Sequence, residues 1–596
     1  MKQTTKIQIH GIWLLLFVVI YVYCRCFLSF NYVFVEQFTF FRFDEEYALS
    51  TLTHPGGLAS YLASFLTQFY LYPEVGPLIT AALSVLLTAF MELSLKQISP
   101  KYYFPFLSAI PALTCIWIET DFNYYLSGTV SLILVMLGVF TYLKSRSYLR
   151  FYIRLTLLVI LSWPFYFFLG PNALLMVVLC VITELKKSER VSALSLLAIP
   201  IAMAFPIMLY SWEIGKDLRF QLLPEGYYLE ILPVPFVCYL PWISVLLNVL
   251  LAKCLSYYSP IKDPFYIRLS HNTLIVCIQF VAVVALMHWG VKKYNSPTNY
   301  EAKAFDYYVR MNKWAELLQS PYLRSSQNYM HACYQNLALS SLNLMGDKLF
   351  ACPQVGYPGL IIKWNKAVNS STLLSDIYWQ AGDVALAQEM AFEGMIGSRD
   401  GVNPRLLMRL VQTNLIAGNY SVAEKYINML SDTYSYSKQA KMYRKMLYND
   451  DAVLNDIELG PRKKGMQHSP GLTVSDGIIK DLEFIMQNNP EFVPAFHYYG
   501  SICLLVKNAS AFVQFIERYH TAPALSRMPV HFQEAIVLCY ENYPERWSEL
   551  GVTPQVKEHY EQYRKAFIMY RDSPMVERKM AAKYRDTYWY YFMYKK

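Results

Sequence analysis

The chain has 596 residues, of which 55% are hydrophobic and only 16% charged, with a mean hydropathy of +0.23 and a formal net charge of +9. Soluble globular chains carry about 25% charged residues, so a wholly water-soluble protein is excluded. The deficit lies before about residue 290, which divides the chain into a membrane part and a water-soluble part, 1–290 and 291–596.

Both parts are expected to be helical, giving an all-α protein. A spanning helix needs about 20 apolar residues. About nine segments meet or approach that length, near 11–33, 76–95, 103–118, 124–143, 153–169, 172–185, 191–211, 232–252 and 269–290. The first run is too long for a signal-peptide core and has no small-residue cleavage site, so it reads as a retained anchor. Arg25 falls inside that run, where an arginine either snorkels to the headgroups or faces a polar cavity.

Just after the first run comes Arg42-Phe-Asp-Glu-Glu-Tyr47, followed by His54-Pro-Gly-Gly57. Proline suits a first helical turn, so a helix is expected to restart there. The three carboxylates read either as a solvated acidic loop or as a site that needs water, a cation or a substrate. A second acidic pair, Glu119-Thr-Asp121, stands between the third and fourth segments.

Counting cations in the loops sets the orientation. With a cytoplasmic N-terminus, fourteen lysines and arginines fall in cytoplasmic segments and only Arg42, Lys216 and Arg219 fall outside. An odd number of spans then puts everything after about residue 291 outside, together with both acidic clusters. Cations confined to short cytoplasmic loops give no surface for nucleic acid.

The second half carries an internal repeat. Ala381-Gly-Asp-Val-Ala-Leu-Ala-Gln388 matches Ala417-Gly-Asn-Tyr-Ser-Val-Ala-Glu424 in type, and turn positions are expected at Asn312, Gly346, Gly382 and Gly418. Helix pairs repeated at about 34 residues resemble tetratricopeptide repeats. Stacked pairs build a concave surface, so a protein or glycan partner is expected there. The stretch from Asp450 to Gly471, with Pro461-Arg-Lys-Lys-Gly465, reads as a loop that breaks the array. The Tyr- and Trp-rich end, Tyr584 to Lys596, suits a capping helix, a membrane-interface contact or carbohydrate stacking. Cys333, Cys352, Cys503 and Cys539 are even in number, which permits disulfides.

Spaced carboxylates suit a divalent cation, which neutralises a phosphate leaving group; a lone carboxylate serves instead as a general base. The layout of the membrane part, with Asp44 and Glu45 after the first span and the acid-x-acid pair Glu119 and Asp121 between the third and fourth, resembles the GT-C superfamily of integral-membrane glycosyltransferases. The stretch from Asp44 through His54-Pro-Gly-Gly57 is similar to the acidic-then-His-Pro segment of some bacterial members. The resemblance rests mainly on residues 1–145. It implies a polyprenyl-phosphate-linked sugar as donor, with Mg or Mn as a divalent cofactor, and an inner-membrane enzyme with a periplasmic domain. Asp44 and Glu45 are then the expected catalytic acids, and Asp44, Glu119 and Asp121 the expected metal ligands. Arg42, His54, Lys216 and Arg219 are the expected contacts for the lipid phosphate. A non-catalytic, membrane-anchored repeat scaffold for envelope assembly or polymer handling is the second reading.

Overall fold

The computed structural model describes residues 2–99, 106–185, 190–212, 217–257, 273–324, 328–398, 401–466 and 477–595. Among these residues the chain is all-helical, and the only extended pairing is a single antiparallel bridge between Tyr124 and Tyr228. It divides into two compact units, residues 1–300 and 301–596.

In the first unit, four helices among the described residues are long and apolar enough to cross a membrane: Val75–Ile98, Ser127–Ser147, Phe151–Leu169 and Phe236–Tyr257. Gly11–Phe27 and Ser29–Glu36 make a fifth if taken together, though they are bent by 77°. Leu107–Glu119, Asn172–Glu184 and Ala193–Leu209 are shorter apolar helices. The last expected span begins among residues outside those described; the helix Thr273–Tyr294 covers the remainder. Leu87, Met91, Val135, Met136, Leu179 and Val245 form one fully buried core, and Leu16, Ile20, Cys24, Leu113, Ile118 and Met287 a second. By contrast Leu14, Ile160, Leu247 and Val281 are 61–65% exposed. Large apolar side chains turned outward on long helices are what a hydrocarbon solvent requires.

The loops of this unit gather at two ends. At one, Tyr125 N donates to Tyr227 O (2.9 Å), Leu229 N to Asn123 O (3.1 Å) and Gly56 N to Phe167 O (2.8 Å). Tyr227 binds the Leu169 carbonyl through its hydroxyl (2.6 Å). At the other, Arg154 Nη2 donates to both oxygens of Glu184 (2.9 and 3.0 Å), Arg146 Nε reaches the same carboxylate (3.2 Å), and Lys253 Nζ donates to Thr183 O (2.8 Å). The 18-residue helix Ser127–Lys144 runs between them, about 27 Å at 1.5 Å per residue.

Two glycines hold the acidic segment to this bundle. Gly56 and Gly170 both have left-handed backbone (φ 78° and 74°), a conformation glycine adopts without a Cβ penalty. A Cβ on Gly56 would lie 3.7 Å from the Gly170 Cα. Arg25 pairs with Glu74, its Nε and Nη2 meeting that carboxylate at 2.7 and 2.6 Å, just before the Val75–Ile98 helix.

In the second unit, helix pairs follow one another. Val368–Ala381 packs on Val384–Ile396, then Pro404–Ala417 on Tyr420–Ser431. The left-handed turns fall at Asn312, Gly382 and Gly418 as expected, and also at Lys507. The remaining expected turn is displaced. Asn343 (φ 56°) makes it, while Gly346 lies inside the helix Met345–Lys348, where a Cβ would meet Pro529 at 2.5 Å. Close packing, not backbone conformation, explains that glycine. The described part of the stretch from Asp450 is also not a loop: Asp450–Leu454 and Leu459–Gly465 are helices, the first packed on the second and the second on Pro404–Ala417, while residues 467–471 lie outside the described residues. The aromatic end is a capping helix. Trp589 is 1% exposed and its Nε1 donates to Glu534 O (2.8 Å). All eleven cysteines are free thiols.

Candidate functional site at the Asp217–Tyr239 loop

Asp217 begins a five-residue helical turn, Leu218–Leu222, and its Oδ1 accepts from Arg219 N (3.0 Å). The same local fold turns the Arg219 guanidinium back onto Asp217 Oδ2, with Nε at 2.9 Å and Nη2 at 2.6 Å. These hydrogen bonds hold the Asp217 carboxyl below the usual carboxylate range. The chain then turns through Pro224–Tyr227, where Gly226 passes so close to Phe220 O that a Cβ would stand 2.3 Å from it. That close passage draws Glu225 inward to 4% exposure. Tyr239 donates its hydroxyl to Glu225, and Arg219 Nε stands 4.0 Å from Glu225 Oε2.

Asp217, Arg219, Glu225, Glu230 and Tyr239 line a polar recess of about 590 Å³. Arg219 also borders an apolar cleft of about 340 Å³ lined by Leu174, Val178, Ala202, Met203, Trp242 and Leu246. One guanidinium thus stands where an apolar cleft meets a carboxylate-lined recess. Among the described residues three carboxylates face one cation in the recess, a surface that accepts hydrogen bonds from hydroxyl groups.

The other expected site residues are placed as follows. Asp44 Oδ1 caps the helix Glu45–Leu52 by accepting from Tyr47 N (2.7 Å), and its Oδ2 stands 3.0 Å from Arg42 Nε. Glu45 is exposed, and so is His54, whose Nδ1 is 2.7 Å from Ser50 O. Glu119 Oε1 accepts from Thr129 Oγ1 (2.6 Å). Asp121 Oδ1 accepts from Asn123 N and Nδ2 (3.0 and 2.9 Å), and its Oδ2 from Tyr228 OH (2.8 Å). Asp44, Glu119 and Asp121 therefore each have local partners. Among the described residues no group of three His, Cys, Asp or Glu side chains is placed to hold a metal ion. Lys216 lies outside the described residues.

A family model described as a family of unknown function, DUF6057, matches residues 5–595. The chain belongs to the DUF6057 family. No curated protein and no solved structure matches it. In this DUF6057 chain Arg219 stands out in the sequence as one of three cations in loops expected to be external, whereas Glu225 is one acid among several in its loop. The signal lay in Pro224-Glu-Gly-Tyr-Tyr228, where proline and glycine flank an acid and force a tight turn around it.

Proposed function

We propose that this chain is a membrane glycosyltransferase that takes a sugar from a polyprenyl-phosphate donor on the outer face of the membrane, working at Arg219. The observation that carries this is the place of Arg219, bordering an apolar cleft and a carboxylate-lined recess at once. A lipid-linked sugar has the same three parts in the same order. Its tail suits the cleft, its phosphate suits Nη1 of Arg219, the part of the guanidinium that Asp217 does not take, and its hydroxyls suit Asp217, Glu225 and Glu230. Glu225 then takes the proton of the acceptor hydroxyl as that oxygen attacks the anomeric carbon. The bond from that carbon to the phosphate oxygen breaks, and polyprenyl phosphate leaves with the electron pair. No step is routed through a metal.

The same reading takes the first unit to cross the membrane nine times from a cytoplasmic N-terminus. The two gathered ends support it. Residues 56, 170 and 227 lie in outer loops of that topology and 125 at the outer end of its fourth span, with 146, 184 and 253 on its inner side. The second unit, read as tetratricopeptide-like, presents the acceptor. A scaffold without catalysis is favoured by one observation, that both Asp44 oxygens are engaged in a helix cap and an ion pair.

The test is release of polyprenyl phosphate by the purified full-length protein from polyprenyl-phosphate-linked hexoses. The wild type is expected to release it, and Arg219→Gln and Glu225→Gln to lose on the order of 10²-fold or more, the usual contribution of a general base. Donor binding that depends on Arg219 without release moves the conclusion to the scaffold. Absence of both binding and release overturns the site.

A further inference from the structure

The second unit carries a separate groove of about 400 Å³, lined among others by Arg310, Trp379, Arg405, Arg409, Glu458 and Arg462. Two guanidinium groups pack on the Trp379 ring, Arg409 at 4.1 Å and Arg462 at 4.3 Å from its centroid. Trp379 is fixed in turn by its Nε1, which donates to Glu458 Oε1 (2.8 Å).

The arginines are not equivalent. Arg405 is spent on Asp306 and Asp376, both at 2.6 Å. Arg409 is spent on Asp376 (3.0 Å) and Gln412 (2.8 Å). Arg462 is 8% exposed, yet among the described residues no carboxylate oxygen lies within ion-pairing distance of it. Its Nε and Nη1 donate to the backbone carbonyls of Trp379 (2.8 Å) and Glu458 (2.6 Å), and no partner among the described residues takes Nη2. Burial lowers its pKa to about 10, which leaves it charged at neutral pH. Glu458 and Asp456 favour the charge from a distance, but a buried guanidinium normally also makes a direct ion pair, and this one makes none among the described residues.

We propose that this groove binds an acidic peptide segment, one carboxylate of which pairs with Arg462. Four observations select that occupant. The Nη2 group left over presents N–H donors that a carboxylate answers with a charge-assisted hydrogen bond. Trp379 is only 4% exposed, so it offers no platform on which a sugar ring can stack. Arg310, Arg405, Arg409 and Arg462 outnumber Asp376 and Glu458 along the groove, which favours an acidic occupant. The amide side chains of Asn312 and Gln380 stand at the walls, where they suit a peptide main chain.

Anisotropy of a fluorescein-labelled hexapeptide ending in Ala-Glu, titrated with the full-length protein in detergent, tests this. Binding is expected to fall at least tenfold with Arg462→Gln and to weaken with raised salt. Because Arg462 also supports two backbone carbonyls, Arg310→Gln on the groove wall is the second variant and is expected to weaken binding while the protein stays folded. Arg571→Gln, on an exposed arginine that does not line the groove, is expected to change nothing. The C-terminal amide of the same peptide and its Gln-ended form tell whether the terminal or the side-chain carboxylate is read. A peptide with neither carboxylate binding equally well overturns the proposal. So does indifference to both variants, failure of all peptides to bind, or preference for an oligoglucuronate.

Discussion

Arg42 Nε stands 3.0 Å from one oxygen of Asp44, while the other oxygen of Asp44 receives the Tyr47 N–H at 2.7 Å. Both arms of this carboxylate hold the helix Glu45–Leu52 in place. Asn is as good an N-cap as Asp, so Asp44→Asn loses only the half-exposed ion pair, worth about 0–1 kcal/mol. Asp44→Ala loses the cap as well, about 0.5–2 kcal/mol. Thermal unfolding of the detergent-solubilised protein should rank them wild type, Asn, Ala, with polyprenyl phosphate release unchanged in the Asn variant. Loss of release by a stably folded Asp44→Asn protein would return the general base to Asp44.

Topology is open to a direct measurement. Reporter fusions after residue 150 are expected to read cytoplasmic, and fusions after residue 300 external, following the loop cations and the two gathered ends. A cytoplasmic signal after residue 300 removes the external site at Arg219.

Residues 295–596 made alone are expected to be soluble and strongly helical by circular dichroism. Their core runs from Phe305 to Tyr591 and draws all its buried side chains from this unit. An unfolded or aggregated product counts against an independent second unit.

Asp383 gives the second unit a pH dependence. It caps the helix Val384–Ile396, its Oδ1 accepting from Leu386 N (3.0 Å), and it is 2% exposed. Burial, reinforced by the Asp481 carboxylate and opposed by the Leu386 N–H, pushes its carboxyl up to about 8. An unfolded Asp titrates near 3.9. The folded state therefore keeps a proton that the unfolded state gives up. This contribution is full below about pH 4 and is lost as pH rises through about 8. Asp383→Asn is neutral throughout and keeps the cap. Between pH 5 and 9 the melting temperature of the wild type should fall relative to this variant. His497, whose burial lowers its pKa to about 4, destabilises on acidification in both proteins and cancels in the comparison. Parallel curves would remove the shared-proton account.

Apolar runs announce themselves, so the helical class was legible in the sequence; the change of composition at about residue 290 stands about ten residues before the boundary between the two compact units, at residue 300. The repeat was legible too, because Gly382 and Gly418 sit where only a left-handed turn fits. Gly346 misled for a physical reason: glycine also serves where two chains touch, and there Pro529 is the neighbour. The basic run Pro461-Arg-Lys-Lys-Gly465 looked like solvated loop because composition cannot tell that Arg462 turns inward onto Trp379. Arg219 was found from its charge in a loop expected to be external. Its position between a cleft and a recess was not, since the cleft is assembled from residues as far apart as Leu174 and Leu246.

The paired glycines 56 and 170 bear on how a substrate reaches Arg219. A lid swings only about a joint that is free to turn. Here the acidic segment is riveted to the bundle where two backbones touch, through a 2.8 Å hydrogen bond from Gly56 to Phe167. That segment travels with the helices instead of opening over them. If the proposed lipid-linked donor is the substrate, its path to the arginine runs sideways, through the cleft between helices 172–184, 198–212 and 240–257.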